Sequence, residues 1–147
     1  MKKYLCFDMD GTIADFYSVP RWLSKLQRED ETPYLQAKPL LDMQALRKEL
    51  VRLQKKGWEV RIISWLSKDA SPEFSDKIRK AKKAWLTRYK FPSSVNHFVK
   101  YGRTKADCLR GKSDYAILFD DNEKIRKGWK LGKTIKPEKI MEELKKL

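Results

Sequence analysis

Residues 4–16 read YLCFDMDGTIADF. The apolar run 4–7 has the character of a first core strand and stops at Asp8. Met9 separates Asp8 from Asp10, and Gly11 and Thr12 follow. Two carboxylates two residues apart at the mouth of a core strand raise each other's cost of ionising. A bound cation, a proton-sharing chemistry or a plain wet turn would each account for them.

The rest of the chain narrows the choice. Its 147 residues suit one domain, 1–147, with a hydrophobic core. A 41% apolar and 12% aromatic content is that of a folded protein. The 34 basic and 20 acidic side chains give a formal charge of +14, which attracts polyanions and small anionic ligands without specifying a fold. No stretch approaches the roughly 18 apolar residues of a membrane span, so no membrane partner is expected. The opening MKKYLCF imitates a signal peptide only until Asp8 and Asp10 break it, and a cytoplasmic protein is expected. Cys6 and Cys108 are too few for a disulfide framework, and His97 is the only histidine. Carboxylates are therefore the natural metal ligands.

Periodicity outlines the elements. Residues 17–40, punctuated by Pro20, Pro33 and Pro39, read as an irregular insertion with a short helix over 20–28 that carries Trp22, Leu23 and Leu26 on one face. Met43, Leu46, Leu50 and Leu53 predict a helix over 41–56, with Gly57 as its C-terminal cap. WEVRIIS (58–64) reads as a strand. Residues 72–90 read as a helix burying Phe74, Ile78, Ala81, Trp85 and Tyr89. A strand at 95–99, a short helix at 104–110, a buried strand at 115–121, a helix to 129, a brief strand at 134–135 and a last helix over 137–147 complete the chain. Strands alternating with helices predict an α/β fold with a parallel sheet covered on both faces. Ligands in such sheets sit at the carboxyl ends of the strands, where Asp8, Asp10, Ser64, Asp120 and Asp121 all fall.

The chemistry that fits two such acids is aspartyl-phosphate formation. One carboxylate attacks phosphorus, and the acid two residues on protonates the leaving oxygen and then deprotonates water. Thr12 and the N–H groups of the turn around Gly11 can hold phosphate oxygens. A calcium loop fits poorly, because glycine comes too early and Val19 stands where its glutamate belongs. Phosphoryl transfer calls for a hard cation, and Asp8, the backbone carbonyl of Asp10, and Asp120 would bind magnesium and offset the crowded charge. In isolation, Asp120 and Asp121 would equally cap the next helix, and Ser64 would be an ordinary strand-end hydroxyl. Lys105 begins the short helix and could reach the phosphate, with Lys100 and Lys112 as rivals.

DMDGT at 8–12, IIS at 62–64, Lys105 and LFDDN at 118–122 together resemble the haloacid dehalogenase superfamily of phosphohydrolases. The resemblance implies a Rossmann-like fold with a short cap or lid insertion, about 17–40. It also implies Asp8 as nucleophile and Asp10 as acid/base, with Gly11, Thr12, Ser64, Trp65 and Lys105 on the phosphate. Asp8, Asp10, Asp120 and Asp121 would surround magnesium. DMDGTIADF is similar to the deoxyribonucleotidase branch, although Ser64-Trp65 replaces the Thr-Ser common there. A nucleotide or related small organophosphate is the expected substrate. Two alternatives draw on the basic surplus: a polynucleotide end phosphatase, and a non-catalytic nucleic-acid-binding protein on the same scaffold. Residues 77–90 supply the field for either, with Lys77, Arg79, Lys80, Lys82, Lys83, Arg88 and Lys90, unless they are merely a solvated helix face. A phosphoacceptor receiver domain is disfavoured, because its aspartate comes from a later strand.

Overall fold

In the computed structural model, which describes residues 2–109 and 114–147, side-chain alternation sorts the core onto two faces of one sheet. Along β1 (Lys3–Phe7), Leu5 and Phe7 pack into one cluster and Tyr4 and Cys6 into another, as a strand's period of two dictates. Burial on both faces is why this strand is almost wholly apolar. The sheet runs β5-β4-β1-β6-β7, with every neighbouring pair parallel. Its other strands are β4 (Trp58–Trp65), β5 (Val95–Val99), β6 (Tyr115–Phe119) and β7 (Thr134–Ile135). The expected Rossmann-like α/β arrangement is thus present. The chain works outward from β1 on one side and then crosses to the other, so the reversal of strand order lies beside β1. That is where a ligand crevice opens in this class of sheet.

Helices α3 (Met43–Lys55), α4 (Pro72–Arg88) and α6 (Ile140–Lys146) cover the face of Leu5 and Phe7. On α3, Asp42 accepts hydrogen bonds from the N–H groups of Gln44 and Ala45, and Gly57 follows the last turn at φ +98°. The opposite face is covered by a 3-10 turn over Lys105–Cys108 and by α5 (Glu123–Gly128) with Trp129. Among the described residues no helix is long and apolar enough to cross a membrane.

Several expectations need correction. Residues after β1 form more than one short helix: α1 (Trp22–Gln27) and α2 (Thr32–Gln36) lie between β2 (Ala14–Asp15) and β3 (Lys38–Pro39), which pair antiparallel and pinch the ends of the insertion together. The prolines permit this because Pro33 sits in a first helical turn and Pro39 in a two-residue edge strand, where a missing N–H costs little. Of the three side chains read as one face of α1, Trp22 and Leu26 pack against the core while Leu23 is 53% exposed. The strand read over 115–121 ends at Phe119, so Asp120 and Asp121 lie beyond the ladder. The short helix read over 104–110 is a 3-10 turn ending at Cys108, and residue 110 lies outside the described residues. The final helix starts as a 3-10 turn over Pro137–Lys139. On α4 the buried side chains are Phe74, Ile78, Ala81, Lys82, Trp85 and Leu86, with Tyr89 only half-buried beyond the helix.

Leu50 is fully buried between α3 and the sheet. Leu50→Ala should lower unfolding free energy by about 2–5 kcal/mol, read as an earlier urea midpoint with an unchanged slope.

Candidate active site

The site grows out of the end of β1. The Asp8 N–H donates to Phe119 O at 3.0 Å, extending the β1–β6 pairing by one step and fixing Asp8 beside the end of β6. The chain then folds tightly: the N–H groups of Thr12, Ile13 and Ala14 all point to Met9 O, at 3.1, 3.0 and 3.0 Å. Gly11 occupies this turn at φ +83°, and a Cβ there would collide with the Asp121 carboxylate. Glycine is required on both counts. The turn delivers Thr12, whose hydroxyl donates to Asp8 Oδ2 at 2.9 Å and accepts from the Asp121 N–H at 3.1 Å. One side chain therefore ties the first acidic segment to the last. Asn122 caps α5 by accepting from the Ile125 N–H, and its own N–H donates to Asp120 Oδ1, so the Asp120-Asp121 pair is held at a helix start.

Two buried lysines stand among these acids. Lys105 donates to Asp8 Oδ1 at 3.0 Å and to Asp120 Oδ2 at 2.7 Å. Lys82, from the middle of α4, donates to Ser64 Oγ at 2.6 Å, to the Trp65 carbonyl at 2.8 Å and to Asp10 Oδ2 at 3.1 Å. Full burial of lysine is rare without such partners. Of the seven buried polar or charged residues among those described, only Glu143 lies elsewhere; the others are Asp8, Thr12, Ser64, Lys82, Lys105 and Asp120.

Each predicted site residue can now be located. Asp8, Asp10, Ser64, Trp65, Lys105, Asp120 and Asp121 line one cavity of about 650 Å³, with Gly11 and Thr12 in the turn beneath it. Trp65 is a wall: its Nε1 donates to Arg103 O at 2.8 Å and its ring lies 5.0 Å from that of Tyr101. Of the candidate lysines, Lys100 is exposed, Lys105 reaches the acids, and Lys112 lies outside the described residues. The reading of Lys82 as a member of the solvated basic face is wrong, because it is 0% exposed and points into the site. Its spacing held the clue: four residues after Ile78 and three before Trp85, it falls on the apolar stripe. Composition drew attention instead to its six basic neighbours.

The electrostatics favour a cation. Burial pushes Asp10 above the usual carboxylate range, with Lys82 pulling it back and Asp8 adding to the rise. Burial and then Asp8 raise Asp120, and the same two causes push Asp121 up to about 7. Burial works against the charge on Lys105, but Asp8 and Asp120 overcome it and hold the ammonium above its ordinary value. Four carboxylates (Asp8, Asp10, Asp120, Asp121) face two ammonium groups, an excess of acids that a divalent ion would offset. One oxygen each from Asp8, Asp120 and Asp121 lie within 4.8 Å of one another. This all-oxygen donor set fits magnesium. The Asp10 side chain lies outside that trio and faces Lys82. Gly11→Ala should cost more than about 1 kcal/mol of stability and displace Asp121. Differential scanning calorimetry with and without magnesium would show a lower Tm and a smaller metal-induced rise than in the wild type.

No protein-family model and no curated protein sequence matches the chain. Among solved structures it is similar to D,D-heptose 1,7-bisphosphate phosphatase from Burkholderia thailandensis, at 12% identity and a TM-score of 0.49, over 91% of this chain and 92% of that one. A likeness at that level carries no argument about chemistry, which rests on the residues above.

Proposed function

We propose that the protein is a magnesium-dependent phosphomonoesterase of the haloacid dehalogenase type, acting through a phospho-aspartate on Asp8. The observation that carries this reading is the division of labour between the first two acids. Asp8 is 7% exposed and held by Thr12 and Lys105, whereas Asp10 is turned away from them towards Lys82. An Asp8 oxygen attacks phosphorus, the bond to the leaving oxygen breaks, and Asp10 supplies that oxygen's proton. Water then attacks the phosphorus, gives its proton to Asp10, and the bond to Asp8 breaks to release phosphate. Lys105 and Thr12 fix the Asp8 carboxylate and Ser64 faces the phosphoryl oxygens, whereas the N–H groups of Gly11, Thr12, Ile13 and Ala14, expected from the sequence to hold phosphate, are already spent on Ala14 O and Met9 O within the turn. Held by Asp8, the Asp10 carbonyl, Asp120 and Asp121, magnesium would supply charge neutralisation on those oxygens.

A nucleotide or related organophosphate suits the cavity. Tyr17 and Tyr101, 53% and 50% exposed, line it together with Trp22, Tyr34 and Trp65. Exposed rings beside a polar floor offer a base or another flat group a surface to stack on. In this reading the insertion 17–40 is a small cap that supplies three of those rings. The polynucleotide-end reading draws on the exposed Lys77, Arg79, Lys80, Lys83, Arg88 and Lys90, none of which lines the cavity.

A panel of phosphomonoesters assayed with magnesium tests the main claim. Turnover should cease in excess chelator and return with magnesium, and Asp8→Asn should abolish it with the far-UV circular dichroism unchanged. A tenth of wild-type activity in Asp8→Asn would exclude Asp8 as nucleophile. A salt series separates the substrates. An oligonucleotide end engaging about four phosphates should show a log–log slope near −3, reduced by Lys80→Glu with Lys83→Glu, whereas a mononucleotide should respond weakly.

A further inference from the structure

Every other ionisable side chain on α4 is exposed; Lys82 alone turns inward. An ammonium has three donors and no acceptor. Here the three acceptors, Asp10 Oδ2, Ser64 Oγ and the Trp65 carbonyl, lie between 2.6 and 3.1 Å away, and the Tyr34 ring covers the group at 5.0 Å. With its donors engaged inside the protein, Lys82 has none left for a phosphate. Its effect on Ser64 is directional. Because the Ser64 oxygen accepts from Lys82, its own O–H remains available as a donor, and this 1% exposed residue borders the cavity. On Asp10, the contact at Oδ2 fixes the carboxyl plane and leaves Oδ1 as the free oxygen.

We infer that Lys82 is a positioning residue for phosphoryl transfer, orienting Asp10 towards the leaving-group oxygen. This deepens the phosphatase reading above and rests on it. A buried lysine serving only to hold α4 on the sheet would affect every substrate alike. A lysine that aims the acid matters most where the leaving group needs a proton.

The test compares wild type, Lys82→Met, Asp10→Asn and the double variant on 4-nitrophenyl phosphate and on an alkyl phosphate. Misplacing the acid should lower kcat on the alkyl ester by about 10²-fold, and on the nitrophenyl ester by about tenfold less, since nitrophenolate leaves without a proton. In the Asp10→Asn background, Lys82→Met should change alkyl turnover by less than about threefold, because the acid it positions is gone. Equal losses on the two esters, or independent losses in the double variant, would overturn the inference. Removing Lys82 strands the Asp10 carboxylate, so the single variant can fail to fold. Lys82→Arg then carries the same comparison, because it keeps the charge but cannot bring one nitrogen to three acceptors. Equal losses there overturn the inference as surely. A wild type inactive on both esters with magnesium would defeat the phosphatase reading and the inference with it, whereas an active wild type separates the two.

Discussion

The mutual repulsion of four carboxylates gathered at one edge of a parallel sheet is the constraint that the rest of the molecule answers. Asp8, Asp10, Asp120 and Asp121 come from the ends of two adjacent strands, and three of their side chains offer oxygens within 4.8 Å of one another. Unrelieved, such a cluster would be driven apart or protonated. The fold relieves it by bringing in two buried ammonium groups from opposite sides of the sheet. Lys105 arrives on a 3-10 turn over one face and bridges Asp8 and Asp120; Lys82 arrives on α4 over the other and takes Asp10. Separate cations for separate acids allow two neighbouring carboxylates to take different roles.

Much of this was legible in the sequence because it depends on local rules. A continuous apolar run marked β1, the 3–4 spacing of Leu46, Leu50 and Leu53 marked α3, and Gly57 marked its end. Once the strands were ordered, the carboxyl edge assembled Asp8, Asp10, Ser64 and Asp120 without further information. Lys82 was not legible in the same way. A lysine in a run of lysines has the composition of a solvated face, and only the register of α4 against the sheet turns one of them inward. The second helix and closing ladder of the insertion were missed for a related reason. They are too short to show a period, and what holds them is distant in sequence: the ladder pairs Ala14 with Pro39 and Asp15 with Lys38, and α2 packs on α4.

That insertion does more than cover the crevice. Glu29 accepts from the backbone N–H and hydroxyl of Ser71, which itself caps α4. Trp85 Nε1 donates to the Ala37 carbonyl at 2.7 Å, and Phe16 and Tyr34 share a core with Phe74, Ile78 and Ala81. The segment after β1 is therefore fastened along the length of the helix that carries Lys82. Tyr34 of that segment covers the Lys82 ammonium, so in the proposed reaction the cover of the crevice and the alignment of Asp10 would be coupled through one ring.

The contrast between Lys82 and its neighbours also divides the basic stretch 77–90 by reagent accessibility. Lys77, Lys80, Lys83 and Lys90 stand in water as ready nucleophiles for an amine-acylating label, while Lys82 is sealed by Tyr34 and matched to three oxygens. Label at the first four reports surface chemistry and nothing else. Label at Lys82 would require Tyr34 to have moved off the ammonium, which makes one position in a crowded basic stretch a built-in reporter of whether that ring stays in place.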